Sequence, residues 1–300
     1  MEWDALPGAL RRLFPGHDFY CLPTRVEVES GGAEYPAASF TSCDVTRLSG
    51  RRNNADKLIE RALAEALGDR HAERPALVVI LDDTELENAM QPAAVVGVVR
   101  EAATRILDRE LNSAHRRSRF EEALRSRVSF HLAKPMIEAW LFPDPAALRR
   151  AGVPADRAPS LDATNDPEAF QTADAVYDGD DAADCHCWHA LAEKKKIDHR
   201  PLWVRAAARR KHHPQAYLSW LCRAPAERNC STYSETGGGT EALAALDWGR
   251  LLSDARGARF VRAMVHDIAD ALGETFPHAG DLAPETARSN RPQRPILRNL

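Results

Sequence analysis

Two hydrophobic periods divide the first half of the chain. Leu58, Ile59, Ala62, Leu63, Ala66 and Leu67 recur at helical spacing, and Gly68 stands where a helix C-cap belongs. Short runs rich in β-branched and aromatic residues instead predict strands at residues 19–22, 39–45, 76–81 and 127–132. Val78, Val79, Ile80 and Leu81 form an unbroken apolar run, the pattern of a central strand covered on both faces. After it, Pro92 suits the first turn of a helix whose apolar stripe is Val95, Val99, Ala102 and Ile106. A basic linker then leads into the strand of RVSFHLA. Strand, helix, linker and strand make a βαβ unit, and a right-handed crossover would set both carboxyl ends on one sheet edge. Residues 1–150 are therefore expected to form an α/β domain, a mostly parallel sheet flanked by helices.

Beyond residue 150 the pattern changes to polar loops and helices, so residues 151–280 are expected to be an acidic linker followed by a helical C-terminal extension with a basic patch. Phe260, Met264, Ile268 and Leu272 mark a last buried stripe ending near Gly273. Residues 281–300, rich in Arg, Pro and Asn without an apolar period, read as a tail that is disordered or docked on a partner.

The stretch LVVILDDTELEN, residues 77–88, carries the most chemistry. The apolar strand runs directly into Asp82, Asp83, Glu85 and Glu87 at its carboxyl end, and in open α/β sheets that edge is where ligands bind. Carboxylates crowded there repel one another unless a hard cation such as Mg2+ neutralises them; alternatively they are a solvated turn that favours the N-terminus of the next helix. The second strand is followed at once by KPMIEAWLF. With Pro135 in the first turn of a helix, Glu138 would lie near the edge that bears Asp82 and Asp83. Glu138 could equally occupy an exposed helix face, paired with Lys134 at a spacing of four.

Charge is mild overall, −4, so any nucleic-acid contact must come from local patches. Segregation is strong, however: residues 161–184 hold eight Asp or Glu and no Lys or Arg, while residues 193–213 hold eight Lys or Arg against two acids. The acidic stretch reads as a solvated linker without EF-hand spacing. The basic one, KKKIDHRPLWVRAAARRKHHP, suits phosphate contact or a solvated face balancing the acidic loop. No run of eighteen apolar residues exists and the start has no signal-peptide pattern, which points to a cytoplasmic protein without a membrane span. Cys185, Cys187 and His189 in DCHCWH are spaced too tightly for an ordinary zinc site and lack a second pair, leaving zinc or a thiol cluster open. There is no GxSxG elbow, no GxxxxGK[ST] loop and no GxGxxG after a strand, which disfavours serine hydrolases, nucleotide-driven motors and dinucleotide oxidoreductases. The Gly237–Gly239 run precedes a helix pattern with Thr240 as its N-cap, and reads as a flexible turn or a phosphate-docking site.

LVVILDDTE, the helix and strand after it, and PMIEAWLF together resemble the Toprim metal-binding fold, above all small stand-alone Toprim-like proteins of bacterial defence loci and the nuclease domain of OLD-type enzymes. HHPQAYLSWLC and YSETGGGTEALAALDW look like elements of the stand-alone group, and the likeness spans roughly residues 10–270. The resemblance implies that Asp82 and Asp83, with Glu85, bind Mg2+ or Mn2+, and that Glu138 in Pro-x-x-Glu-x-Trp-Leu is a further family acid. Toprim proteins also carry a glutamate at the end of a first strand. Here DALPGALRRLF looks like the helix that follows it, so that strand and its glutamate are missing, and Glu27 and Glu29 in RVEVES are poor substitutes. The chain is then truncated, completed by a partner, or a fold whose metal binding has decayed.

The function expected on this basis is a Mg2+-dependent nuclease acting in phage defence. Asp82, Asp83, Glu85 and Glu138 would hold the metal and Lys134 would steady the phosphorane or the departing oxygen. Arg116, Arg117 and Arg119, with Lys195, Arg209, Arg210 and Lys211, would grip the nucleic-acid backbone. The alternatives are a non-catalytic Toprim-like module that binds a partner protein of the same locus, and a metal-dependent phosphatase acting on a small nucleotide.

Overall fold

The computed structural model describes residues 2–22, 40–47, 54–68, 74–110, 113–162, 166–179, 207–223 and 233–300. Its regular elements, in chain order, are α1 (Glu2–Leu13), α2 (Asn54–Leu67), β1 (Val78–Asp83), α3 (Pro92–Arg109), α4 (Ala114–Arg127), β2 (Val128–Ala133), α5 (Pro145–Ala151), α6 (Pro214–Leu221), α7 (Thr240–Ala244) and α8 (Arg259–Leu272), with single helical turns between them. The chain divides into two interleaved compact units. Unit 1 is Met1–Leu22 with Pro135–Ser253, and unit 2 is Pro23–Lys134 with Asp254–Leu300. The cut falls between Lys134 and Pro135 rather than near residue 150, and the C-terminal segment returns to the strand-bearing unit.

In unit 2, β1 and β2 pair in parallel, in a register running from Val78 opposite Val128 to Asp83 opposite Ala133. The helical stripes read from the sequence face this pair. Ile59, Ala62, Leu63 and Ala66 of α2 and Val95, Val99, Ala102 and Ile106 of α3 are buried in one core with Ile80, Val128, Phe130 and Leu132. Gly68 caps α2 at φ +75°, and Pro92 opens α3. The mixed α/β class is observed, with a small parallel sheet flanked by helices.

Four expectations change. Residues 19–22 form no strand, and the described part of 39–45 is a turn leading into a single 3-10 turn, Val45–Arg47. The basic linker is the helix α4, capped by the Ser113 side chain, which accepts from the Arg116 N–H. The apolar run of β1 is only half-buried apart from Ile80, whereas all six residues of β2 are buried. The cause is α8, which packs on β2 and meets the polar alternation Ser129 and His131 with its own polar positions. His131 Nε2 lies 3.2 Å from Asp267 Oδ2, both groups fully buried, and Arg298 Nε donates to Asp267 Oδ1 at 2.9 Å. Residues 281–300, lastly, are neither disordered nor free: Leu297 and Leu300 are buried in the core of unit 2 because they supply the apolar contacts that composition alone conceals.

Unit 1 is helical. α1 packs on α7, and α7 on α5, with Trp248 Nε1 donating to the Ala9 carbonyl at 3.0 Å. Residues 166–179, within the acidic stretch, are not a solvated linker. Phe170 and Tyr177 anchor them against Tyr217 of α6, and the Tyr217 hydroxyl donates to Asp174 at 2.9 Å. Thr240 does not cap α7, which Gly239 precedes in helical conformation. Gly238 is required for a different reason: a Cβ there would lie 2.9 Å from the carbonyl oxygens of Arg150 and Ala151.

Candidate active site

The carboxyl end of β1 is built by strand pairing. Asp82 and Asp83 are half-buried and stand opposite Leu132 and Ala133. Thr84, fully buried, extends the pairing one step as its N–H donates to the Ala133 carbonyl at 2.9 Å. Lys134 follows directly on β2, so the register brings Asp83 and Lys134 to the same end of the parallel pair. The Lys134 ammonium lies 5.9 Å from the centre of the Phe260 ring, a cation–π contact that holds it on the α8 side.

Glu85 leaves the strand with φ +53°, a left-handed conformation that is costly for a residue with a Cβ and that clusters at functional turns. The single helical turn Glu85–Asn88 is then fixed by Asn88, a residue without any signal in the sequence pattern. Asn88 is fully buried. Its Oδ1 accepts from the Val45 N–H at 3.0 Å, and its Nδ2 donates to the Thr41 and Cys43 carbonyls at 2.7 and 3.0 Å. Gln91 adds a bond to Asp44 at 2.9 Å. Hydrogen bonds from Thr46 and Gln91, together with the nearby Arg47, hold the Asp44 carboxyl below the usual carboxylate range. Asp44 and Asn88 are thus further polar residues of the turn that follows β1, and reading local sequence alone missed both.

Glu138 belongs to unit 1. Pro135 opens no α-helix; the segment is a single 3-10 turn, Ile137–Leu141, and Glu138 is only 5% exposed. The alternative of an exposed helix face is overturned, since Trp140 and Leu141 on the same turn are fully buried and pull it into the core. Among the described residues, no three His, Cys, Asp or Glu side chains are grouped to hold a metal ion.

The basic residues separate into distinct environments. Arg116 is exposed and reaches Glu110 at 3.2 Å, while Arg117 joins Asp108 and Glu121. Arg119 is exposed on the same helix, α4. In unit 1, Arg209 is exposed and Lys211 half-buried. Arg210 is a correction: it is 5% exposed, its guanidinium donates to the Tyr177 and Asp178 carbonyls at 3.2 and 2.8 Å, and it lies over the Tyr177 ring. A side chain so enclosed holds the fold and cannot grip a phosphate. Lys195, Cys185, Cys187, His189, Glu27 and Glu29 lie outside the described residues.

No helix among the described residues is long and apolar enough to cross a membrane. Comparison with protein-family models, with curated proteins and with solved structures gives no match to this chain.

Proposed function

We propose that the protein is a metal-dependent phosphodiester hydrolase of Toprim-like fold, acting on nucleic acid. The observation that carries this reading is that Asp82 and Asp83 end one strand of a parallel pair, with Glu85 and Lys134 following just beyond its carboxyl edge, the edge at which α/β sheets bind ligands.

The donor set is made of hard oxygens, which suits Mg2+ or Mn2+. Asp82 and Asp83 would hold the ion, with Glu85 as a further ligand, and the bound ion would supply an acidified water and neutralise phosphate charge. The chain's own groups do the rest. Lys134, held at the Phe260 ring, places positive charge where the departing oxygen gains negative charge. Arg116, Arg117 and Arg119 on α4 contact the backbone without reading sequence. Such an enzyme suits a role in bacterial defence.

The test is cleavage of single- and double-stranded DNA and RNA with Mg2+ or Mn2+, comparing wild type with Asp82→Asn plus Asp83→Asn. Metal-dependent cleavage lost in the double variant supports the reading; intact substrates with the wild-type protein overturn it. A second reading is a non-catalytic module that binds a basic partner protein through the same acids. Capture of a partner in the absence of any cleavage would favour it.

A further inference from the structure

The outer edge of β2 is closed by a side chain where a third strand would lie. In a parallel pair, alternate residues turn their backbone groups to opposite sides. The Ala133 carbonyl faces β1, since it accepts from Thr84, so Val128, Phe130 and Leu132 face the other way. There Asn299 Oδ1 accepts from the Phe130 N–H at 3.0 Å and Asn299 Nδ2 donates to the Phe130 carbonyl at 2.7 Å. The Arg298 N–H donates to the Val128 carbonyl at 2.8 Å, and the Arg298 guanidinium binds Asp267. The chain reaches this position from α8 through residues 274–287, which contain neither helix nor strand.

We propose that residues 295–300 are a strap guarding a strand-pairing edge, and that the occupant it excludes is β2 of a second copy of this chain. In a hydrogen-bonded antiparallel pair, opposed residues exchange both N–H···O=C bonds. The Asn299 amide makes that same pair of bonds with Phe130. A second Phe130, placed across a two-fold axis, replaces it bond for bond, and Val128 of each copy then faces Leu132 of the other. The apolar row Val128, Phe130 and Leu132 continues unbroken across such a junction, and a self-complementary contact of this kind closes as a dimer. An uncovered edge strand is a ready template for pairing, so the strap decides between one copy and two.

Backbone amide exchange on the wild-type protein and light-scattering mass measurements on wild type and Asn299→Ala test this. Release of the strap exposes Phe130 but leaves the bonds to β1 intact, so the Phe130 amide should exchange on the order of tenfold faster than those of Ser129 and His131. Asn299→Ala should double the mass in a concentration-dependent way, with the Phe130 amide protected again in the dimer. Equal protection of the three amides in the wild type overturns the proposal even if the variant fails to fold. A folded Asn299→Ala with wild-type mass overturns it, as do species larger than a dimer.

Discussion

Gly238 and Gly97 respond in opposite ways to an added methyl group. At Gly238 it would press on the carbonyls of Arg150 and Ala151, backbone atoms that cannot turn aside, so Gly238→Ala should lower stability by about 1–3 kcal/mol in urea titration. At Gly97, inside α3, nothing lies within 4 Å of the added atom, and Gly97→Ala should raise stability by up to about 1 kcal/mol through helix propensity. A similar contrast separates two neighbouring arginines. Arg210→Ala should lower stability by about 1–3 kcal/mol, because it leaves the Tyr177 and Asp178 carbonyls without their donor. Arg209→Ala, exposed, should change it by less than about 0.5 kcal/mol. If the basic stretch binds nucleic acid, then of these two arginines it is Arg209 whose change to Ala should weaken binding without loss of fold, measured by oligonucleotide anisotropy.

At the scale of elements, β2 and α8 are joined by a polar contact inside an apolar unit. Burial raises the Asp267 carboxyl, but hydrogen bonding from His131 and the charges of His131 and Arg298 outweigh it and hold the group at about 2. Asp267→Ala leaves the buried His131 without its carboxylate and takes from Arg298 one of its two acidic partners, the other being Asp270, and a cost of about 3–5 kcal/mol is expected in chemical denaturation. The helices α2, α3 and α8 were legible in the sequence because each buries one face and a 3.6-residue period records that face directly. The turn after β1 was not, because Asn88 acts on residues 41, 43 and 45, more than forty positions away in sequence, and no local pattern encodes a partner that distant. The alternation of Ser129 and His131 within β2 was the one available sign that this strand meets a polar partner.

At the scale of the molecule, the two units should respond to acid in different windows. Burial depresses His213 in unit 1 from 6.5 to about 3. Between those values the unfolded chain binds a proton that the folded one does not, so stability is full above pH 6.5 and falls as pH drops towards 3. Asp267 in unit 2 contributes stability above 3.8 that is lost as pH falls through about 2. Unit 1 should therefore open first on acidification, which exchange measurements resolved by unit would show as early loss of protection around residues 213–221. His213→Asn keeps a capping group on α6 and should flatten the upper window.

Local sequence encodes the helical stripes, the two paired strands and the acids at the end of the first, because periodicity and adjacency are local properties. Packing between distant segments makes β2 the more buried strand, encloses Glu138 and Arg210, and brings residues 281–300 back to seal unit 2. Each of these depends on which surface meets which, and a buried side chain is chosen by partners that lie far from it along the chain.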